Sequence, residues 1–230
     1  ITLNLCIMAL ITIGGIGFTV LDDLRRNRKW KKLRLHSKIV LTASAILTFG
    51  GTLVILALEY TNPATLGGMP NELDKWMAAA FQAVTCRTAG FNTIDLTDMR
   101  ASSLFFMVLL MGIGASPTST GGGMKTTTLA VLVSSALSVF RKKEHTHFFG
   151  RQIPDGTIRN AATIFLMYIV LFLVGGMVIS STEDIPLMTA LFETRRQSET
   201  VGLSLGITPD LGLVSHIILI CLMFFGRVED

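Results

Sequence analysis

The sequence predicts an all-α polytopic membrane protein with re-entrant loops, and three observations lead there. Half of its 230 residues are hydrophobic, with a mean hydropathy of +0.57, more than a soluble domain of this length carries. Apolar runs at 1–21, 39–58 and 160–180 are long enough to cross a hydrocarbon layer of about 30 Å. Basic residues gather between such runs: of the 20 Lys and Arg, eight fall in 22–38 and five in 141–159. The positive-inside rule makes both links cytoplasmic, and alternation then puts the loops around 59–100 and 181–210 on the outer face.

Each element follows in order. The run 1–21 carries Gly14, Gly15 and Gly17, small residues that permit close helix packing in lipid. It has no polar flank in front of it, so it reads as the last helix of an earlier repeat and the chain as a C-terminal piece. With the link to Lys38 it forms the first unit, 1–38. The second, 39–140, opens with the span 39–58 and an outer loop containing Pro and Gly. A short helix and its loop follow at 71–93, then an apolar stretch from Ala101 that breaks at 115–128 and resumes as helix at 129–140. Pro117 removes a backbone donor and Gly121, Gly122 and Gly123 disfavour helix. Neither flank of the break spans a bilayer alone, so 101–140 reads as one membrane helix broken at depth. The link 141–159 leads to the last unit, 160–230, with a span at 160–180, a turn at 181–185, a short helix and loop at 186–204, and a final apolar run from Leu211.

Two loops repeat one pattern. Thr85-Cys86-Arg87-Thr88-Ala89-Gly90-Phe91-Asn92-Thr93 and Thr200-Val201-Gly202-Leu203-Ser204 each follow a short helix and precede an apolar run, which makes an internal repeat. The glycine of Thr-x-Gly in each loop, Gly90 and Gly202, allows dihedrals that a Cβ resists. Successive carbonyls can then point one way and replace the hydration shell of a cation. Non-helical backbone at membrane depth is tolerated where it lines a water-filled path or is buried in protein, so the pattern suggests a pore. Arg87 is expected to turn away from the ion and brace the loop against a carboxylate.

Other chemistries fit poorly. Cys6, Cys86 and Cys221 are isolated, without CxxC spacing, which argues against a disulfide framework or zinc site. His36, His145, His147 and His216 have no metal-ligand spacing. The Gly121–Thr128 stretch invites a phosphate-cradle reading, but Met124 precedes Lys125 where GxxxxGK[ST] has Gly. A membrane enzyme or scaffold binding phosphate there is the competing class, and it predicts nucleotide affinity lost on Lys125→Ala. The basic cluster 22–38 is assigned to topology rather than to nucleic acid. Asp95, Asp98, Glu183, Asp184 and Asp210 lie outside and could concentrate cations at a mouth.

Both loops resemble the selectivity filters of the Trk/Ktr/HKT superfamily of potassium transporters, most closely those of the membrane (KtrB-type) subunit of bacterial Ktr systems. The resemblance implies four joined copies of helix, pore loop and helix around one pore, of which this chain holds the last helix of the second copy, the third, and most of the fourth. It implies potassium coordination at Thr88, Ala89, Gly90, Thr200, Val201 and Gly202, with Phe91 and Leu203 completing the filters. A gate is implied at Gly121, Gly122, Gly123 and Lys125, with Arg227 projecting beside it. It further implies no catalytic residues and no cofactor in this chain, a homodimer in the cell membrane, and a cytosolic nucleotide-binding ring subunit of KtrA type as partner. Uptake is expected to be sodium-dependent, with proton-linked Trk-type transport or a non-transporting fragment as alternatives. Two stretches depart from the family pattern: Arg195-Arg196-Gln197-Ser198-Glu199 before the second filter, where small and apolar residues are expected, and Val228-Glu229-Asp230 at the end. Charges at that depth cost several kcal/mol unless paired.

Overall fold

The computed structural model describes residues 2–143 and 145–228. Among them the regular secondary structure is helical apart from one small hairpin. The first apolar run does not continue as one helix. It forms α1 (Thr2–Ile16), turns by 92° at Gly17, and continues as the amphipathic α2 (Phe18–Arg26). The turn has a local cause: Gly17 adopts φ +93°, and a Cβ there would meet the Pro117 carbonyl at 2.6 Å. The expectation of a single element over 1–21 is therefore corrected to a bent pair.

Two similar units follow. In the first, α3 (Leu35–Glu59) is the long first helix, α4 (Glu72–Thr85) is the short helix before the loop, and α5 (Ala101–Met111) and α6 (Thr126–Phe140) flank a break. In the second, α7 (Asp155–Glu183), α8 (Leu187–Ser198) and α9 (Leu213–Val228) repeat the order. By length and composition α3 and α7 can each cross a membrane, and the bent pair α1–α2 would be a third span if taken as one. Their exposed apolar side chains, among them Phe49 and Leu53 on α3 and Leu166 and Val174 on α7, suit contact with lipid.

One core packs α3, α4 and α5 through Ile55, Ala79, Met107 and Met111, and it takes in Phe192, Val201 and Leu203 from the second unit. A smaller core joins α7, α8 and α9 through Ile179, Ala190 and Leu222. The link between units holds the hairpin β1 (His147–Phe148) and β2 (Arg151–Gln152), turned by left-handed Phe149 and Gly150. Beside it, Ile153 packs with Val131 of α6 and Ala161 of α7.

Both units close the ends of their long helices alike. Glu59, the last residue of α3, is fully buried and accepts the Arg100 amide and the Ser103 hydroxyl at the start of α5, with Asn62 and Thr65 as further donors. Glu183, the last residue of α7, accepts the Gly212 amide and the Ser215 hydroxyl at the start of α9. In each case a carboxylate from one helix caps the orphan amides of the next.

Candidate functional site

The loops after α4 and α8 have the same backbone. Thr88 and Gly90 take φ +59° and +79°; Thr200 and Gly202 take +53° and +91°. Left-handed dihedrals at alternate residues fold each loop so that its carbonyls are withdrawn from regular ladders. Among the described residues no hydrogen bond reaches the carbonyls of Thr88, Ala89, Gly90, Thr200, Val201 or Gly202. Phe91 differs, because its carbonyl accepts the Thr85 hydroxyl at 2.7 Å. The loops lie side by side: a Cβ on Gly90 would collide with the Val201 carbonyl, and the nearest atom to one on Gly202 is the Gly90 Cα at 3.8 Å.

The break lies against both loops. Helix α5 ends at Met111, three residues before the sequence places the end of that helical stretch, and helix resumes at Thr126 rather than at 129. Within 112–125, a Cβ on Gly121 would collide with the Thr88 hydroxyl, and one on Gly122 would meet the Thr200 hydroxyl at 2.7 Å. Thr88, Thr120, Gly121, Thr200, Met223 and Arg227 together line a cavity of about 410 Å³. Sequence-predicted residues of both filters and of the gate thus meet at one place.

The segment is held from three sides. The bent pair α1–α2 contributes the Gly15 carbonyl, which accepts the Ser116 amide at 3.1 Å, and the Phe18 amide, which donates to the Thr118 carbonyl at 3.0 Å. From α9, the Gly226 carbonyl accepts the Gly123 amide at 3.0 Å and Arg227 Nη1 donates to the Thr120 carbonyl at 3.4 Å. From the end of α8, Glu199 Oε2 accepts the Met124 amide at 2.9 Å. Lys125 Nζ donates to the Gly121 carbonyl at 3.3 Å within the segment itself.

Arg87 turns away from its loop, but it meets a hydroxyl, Ser44 Oγ of α3 at 3.0 Å, rather than a carboxylate. The charged departure at 195–199 is helical through Ser198 and largely paired. Arg195 faces Glu199 at 3.5 Å, and Arg196 bonds Glu193. Glu193, fully buried, also accepts the Ser204 hydroxyl at 2.9 Å and the Leu205 amide at 3.1 Å, bracing the exit of the second loop. Sequence reading missed Glu193 and Glu199 as partners. The available signal was spacing, Glu–Arg at i,i+3 and Arg–Glu at i,i+4 on one short helix. Of the acidic outer residues, Glu183 is engaged as a cap, while Asp95 sits in a turn where the Thr97 hydroxyl and amide hold its carboxyl below the usual range. Glu229 and Asp230 lie outside the described residues.

Two carbonyl-bearing loops meeting over the break between α5 and α6, among long apolar helices, define a helical membrane protein with re-entrant loops. The comparisons agree: the TrkH family model, described as "Cation transport protein", matches residues 1–230, and the chain belongs to that family. It is 41% identical over 227 residues to Ktr system potassium uptake protein B of Bacillus subtilis, covering 99% of this chain and 51% of that protein. It is 37% identical to the potassium/sodium uptake protein NtpJ of Enterococcus hirae, covering 98% and 51%. The crystal structure of the potassium transporter TrkH from Vibrio parahaemolyticus superposes with a TM-score of 0.80 at 20% identity, covering 98% of this chain and 50% of that one. The chain spans about half the length of the relatives it matches.

Proposed function

We propose that the protein takes up potassium across the cell membrane through a path lined by the carbonyls of Thr88–Gly90 and Thr200–Gly202. Phe91 and Leu203 flank that path, and passage is limited by Gly121–Gly123, Lys125 and Arg227. One observation carries the reading: two loops distant in sequence share one alternating left-handed backbone, touch at Gly90 and Val201, and stand over Gly121 and Gly122. Carbonyls without protein donors are suited to replace water around a cation. Small residues in 121–123 let that segment approach both filter threonines.

Sodium-dependent uptake is the finer reading, supported by the potassium/sodium name of a relative. Relatives named as the B protein of a Ktr system support a component of a larger system, and the finer reading is a homodimer docked on a cytosolic nucleotide-binding ring. The basic links 22–38 and 141–159 would then be cytoplasmic. A phosphate cradle at 121–125 is less favoured, since α5 rather than a strand precedes the segment and Lys125 is turned onto Gly121.

The test is rubidium uptake, with and without sodium, by the intact protein in potassium-uptake-deficient cells, comparing Gly90→Ser and Gly202→Ser after membrane expression is verified. Gly90→Ser introduces both a left-handed strain of about 1–3 kcal/mol and a collision, so uptake should fall roughly tenfold or more. Gly202→Ser has the strain without the collision and should lower potassium preference over sodium while leaving measurable flux. If neither changes rate or preference, the filter reading is wrong.

A further inference from the structure

The charges at 195–199 join the end of α8 to both ends of the break. Arg195 is 8% exposed and Glu199 fully buried. The Arg195 guanidinium rests where a Cβ on Gly112 would stand and lies 4.9 Å from the centre of the Phe172 ring of α7. Glu199 occupies the space of a Cβ on Gly123 and accepts the Met124 amide. Gly112 is the first residue after α5, and Met124 lies two before α6. Next to the pair, Gly226 of α9 presses on the Ser198 carbonyl while its own carbonyl holds Gly123.

We infer that Arg195 and Glu199 form a positioning clamp, its cation against the end of α5 and its carboxylate on the start of α6, which sets how readily the segment 112–125 yields. The inference rests on the gate reading given above. Its physical basis is that moving Met124 away strips a buried carboxylate of a charge-assisted bond. Moving Gly112 away disturbs the packing of the cation with Phe172 and leaves Glu199 less well compensated. The clamp therefore opposes opening from both ends at once, and neither residue needs to touch the ion.

The test pairs Glu199→Gln with the double variant Arg195→Met/Glu199→Leu, which removes both charges and leaves no buried ion unpaired. Two measurements are made on the intact protein: amide hydrogen exchange in detergent, and rubidium uptake against concentration in cells. The double variant is expected to raise exchange at 112–124 roughly tenfold or more, with exchange at 59–100 unchanged. Maximal uptake should rise several-fold with the half-saturating rubidium concentration unchanged, and Glu199→Gln should fall between the two proteins. Exchange that rises across α8 and the second filter, with weaker rubidium affinity, would mean that the pair merely holds the helix, and the clamp is overturned. Unchanged exchange at 112–124 overturns it as well. Faster local exchange with unaltered uptake would instead sink the gate reading, because a loosened segment would then not limit the ion.

Discussion

The two Thr-x-Gly loops share a backbone and differ in what supports it. In the first, the loop is tied by neutral groups: the Thr85 hydroxyl holds the Phe91 carbonyl, and Ala83, Val84 and Cys86 around it are buried. In the second, the Glu193 carboxylate gathers Arg196, Ser204, Leu205 and Thr208. The residue before Thr88 is Arg87, and the residue before Thr200 is Glu199. Arg87 reaches sideways to Ser44 of α3, whereas Glu199 reaches the Met124 amide. A required backbone geometry can thus be supported by either kind of scaffold. What the charged scaffold adds is a connection between the second loop and the break, which the first loop meets only by close packing at Gly121.

The largest effect expected from this difference is at Glu193. Glu193→Ala removes the carboxylate under the second loop and leaves Arg196 buried beside Thr208 without its partner, a loss of about 3–5 kcal/mol. Thr85→Val removes one hydroxyl from the first loop and should cost about 1 kcal/mol. Thermal unfolding of the purified protein in detergent compares the two. Equal losses would show that the loops are supported alike after all.

A smaller contrast is expected at the ends of α3 and α7, where the units look most similar. Glu59 is enclosed and serves four donors, so Glu59→Gln should destabilise by about 2–3 kcal/mol, because an amide turns one repulsive N–H face toward a cage of donors. Glu183 serves two donors at the surface, and Glu183→Gln should cost under about 1 kcal/mol. If Glu183→Gln proves the more damaging, the second cap carries more of the fold than its exposure indicates.

These contrasts mark what sequence can and cannot disclose. Length and apolarity place α3 and α7, and recurrence of Thr-x-Gly after a short helix locates both loops, because those features are local. The break in 101–140 is legible from Pro117 and three glycines, while its ends shift by a few residues because Gly112 and Lys125 are set by partners elsewhere. The bend at Gly17 escapes notice: a glycine in an apolar run looks like a packing residue until Pro117, 100 positions away, is found against it. The charged end of α8 looks like a fault in the sequence for the same reason. Its partners include Gly112, Gly123 and Met124, none of which is near it in the chain.

The smallest predicted effect separates the two polar links. In 22–38, Asp23 is buried and accepts the Arg34 amide at 2.9 Å, the Ser37 hydroxyl at 2.5 Å and Asn27 Nδ2 at 2.9 Å, so it fastens the link to the start of α3. The Ser37 hydroxyl first, then Asn27 and the Arg34 amide, lower its carboxyl from 3.8 to about 2. A carboxylate with a lowered folded value stabilises above its unfolded value and loses that contribution as pH falls toward the folded one. The link 141–159 packs instead through the apolar contact of Ile153 with Val131 and Ala161. Between about pH 4 and pH 2, hydrogen exchange corrected for its intrinsic rate should therefore rise in 22–38 and stay level in 146–158. Asp23→Asn should abolish the pH dependence. A rise of equal size in both links would mean that acid loosens the protein as a whole and that Asp23 has no special hold on α3.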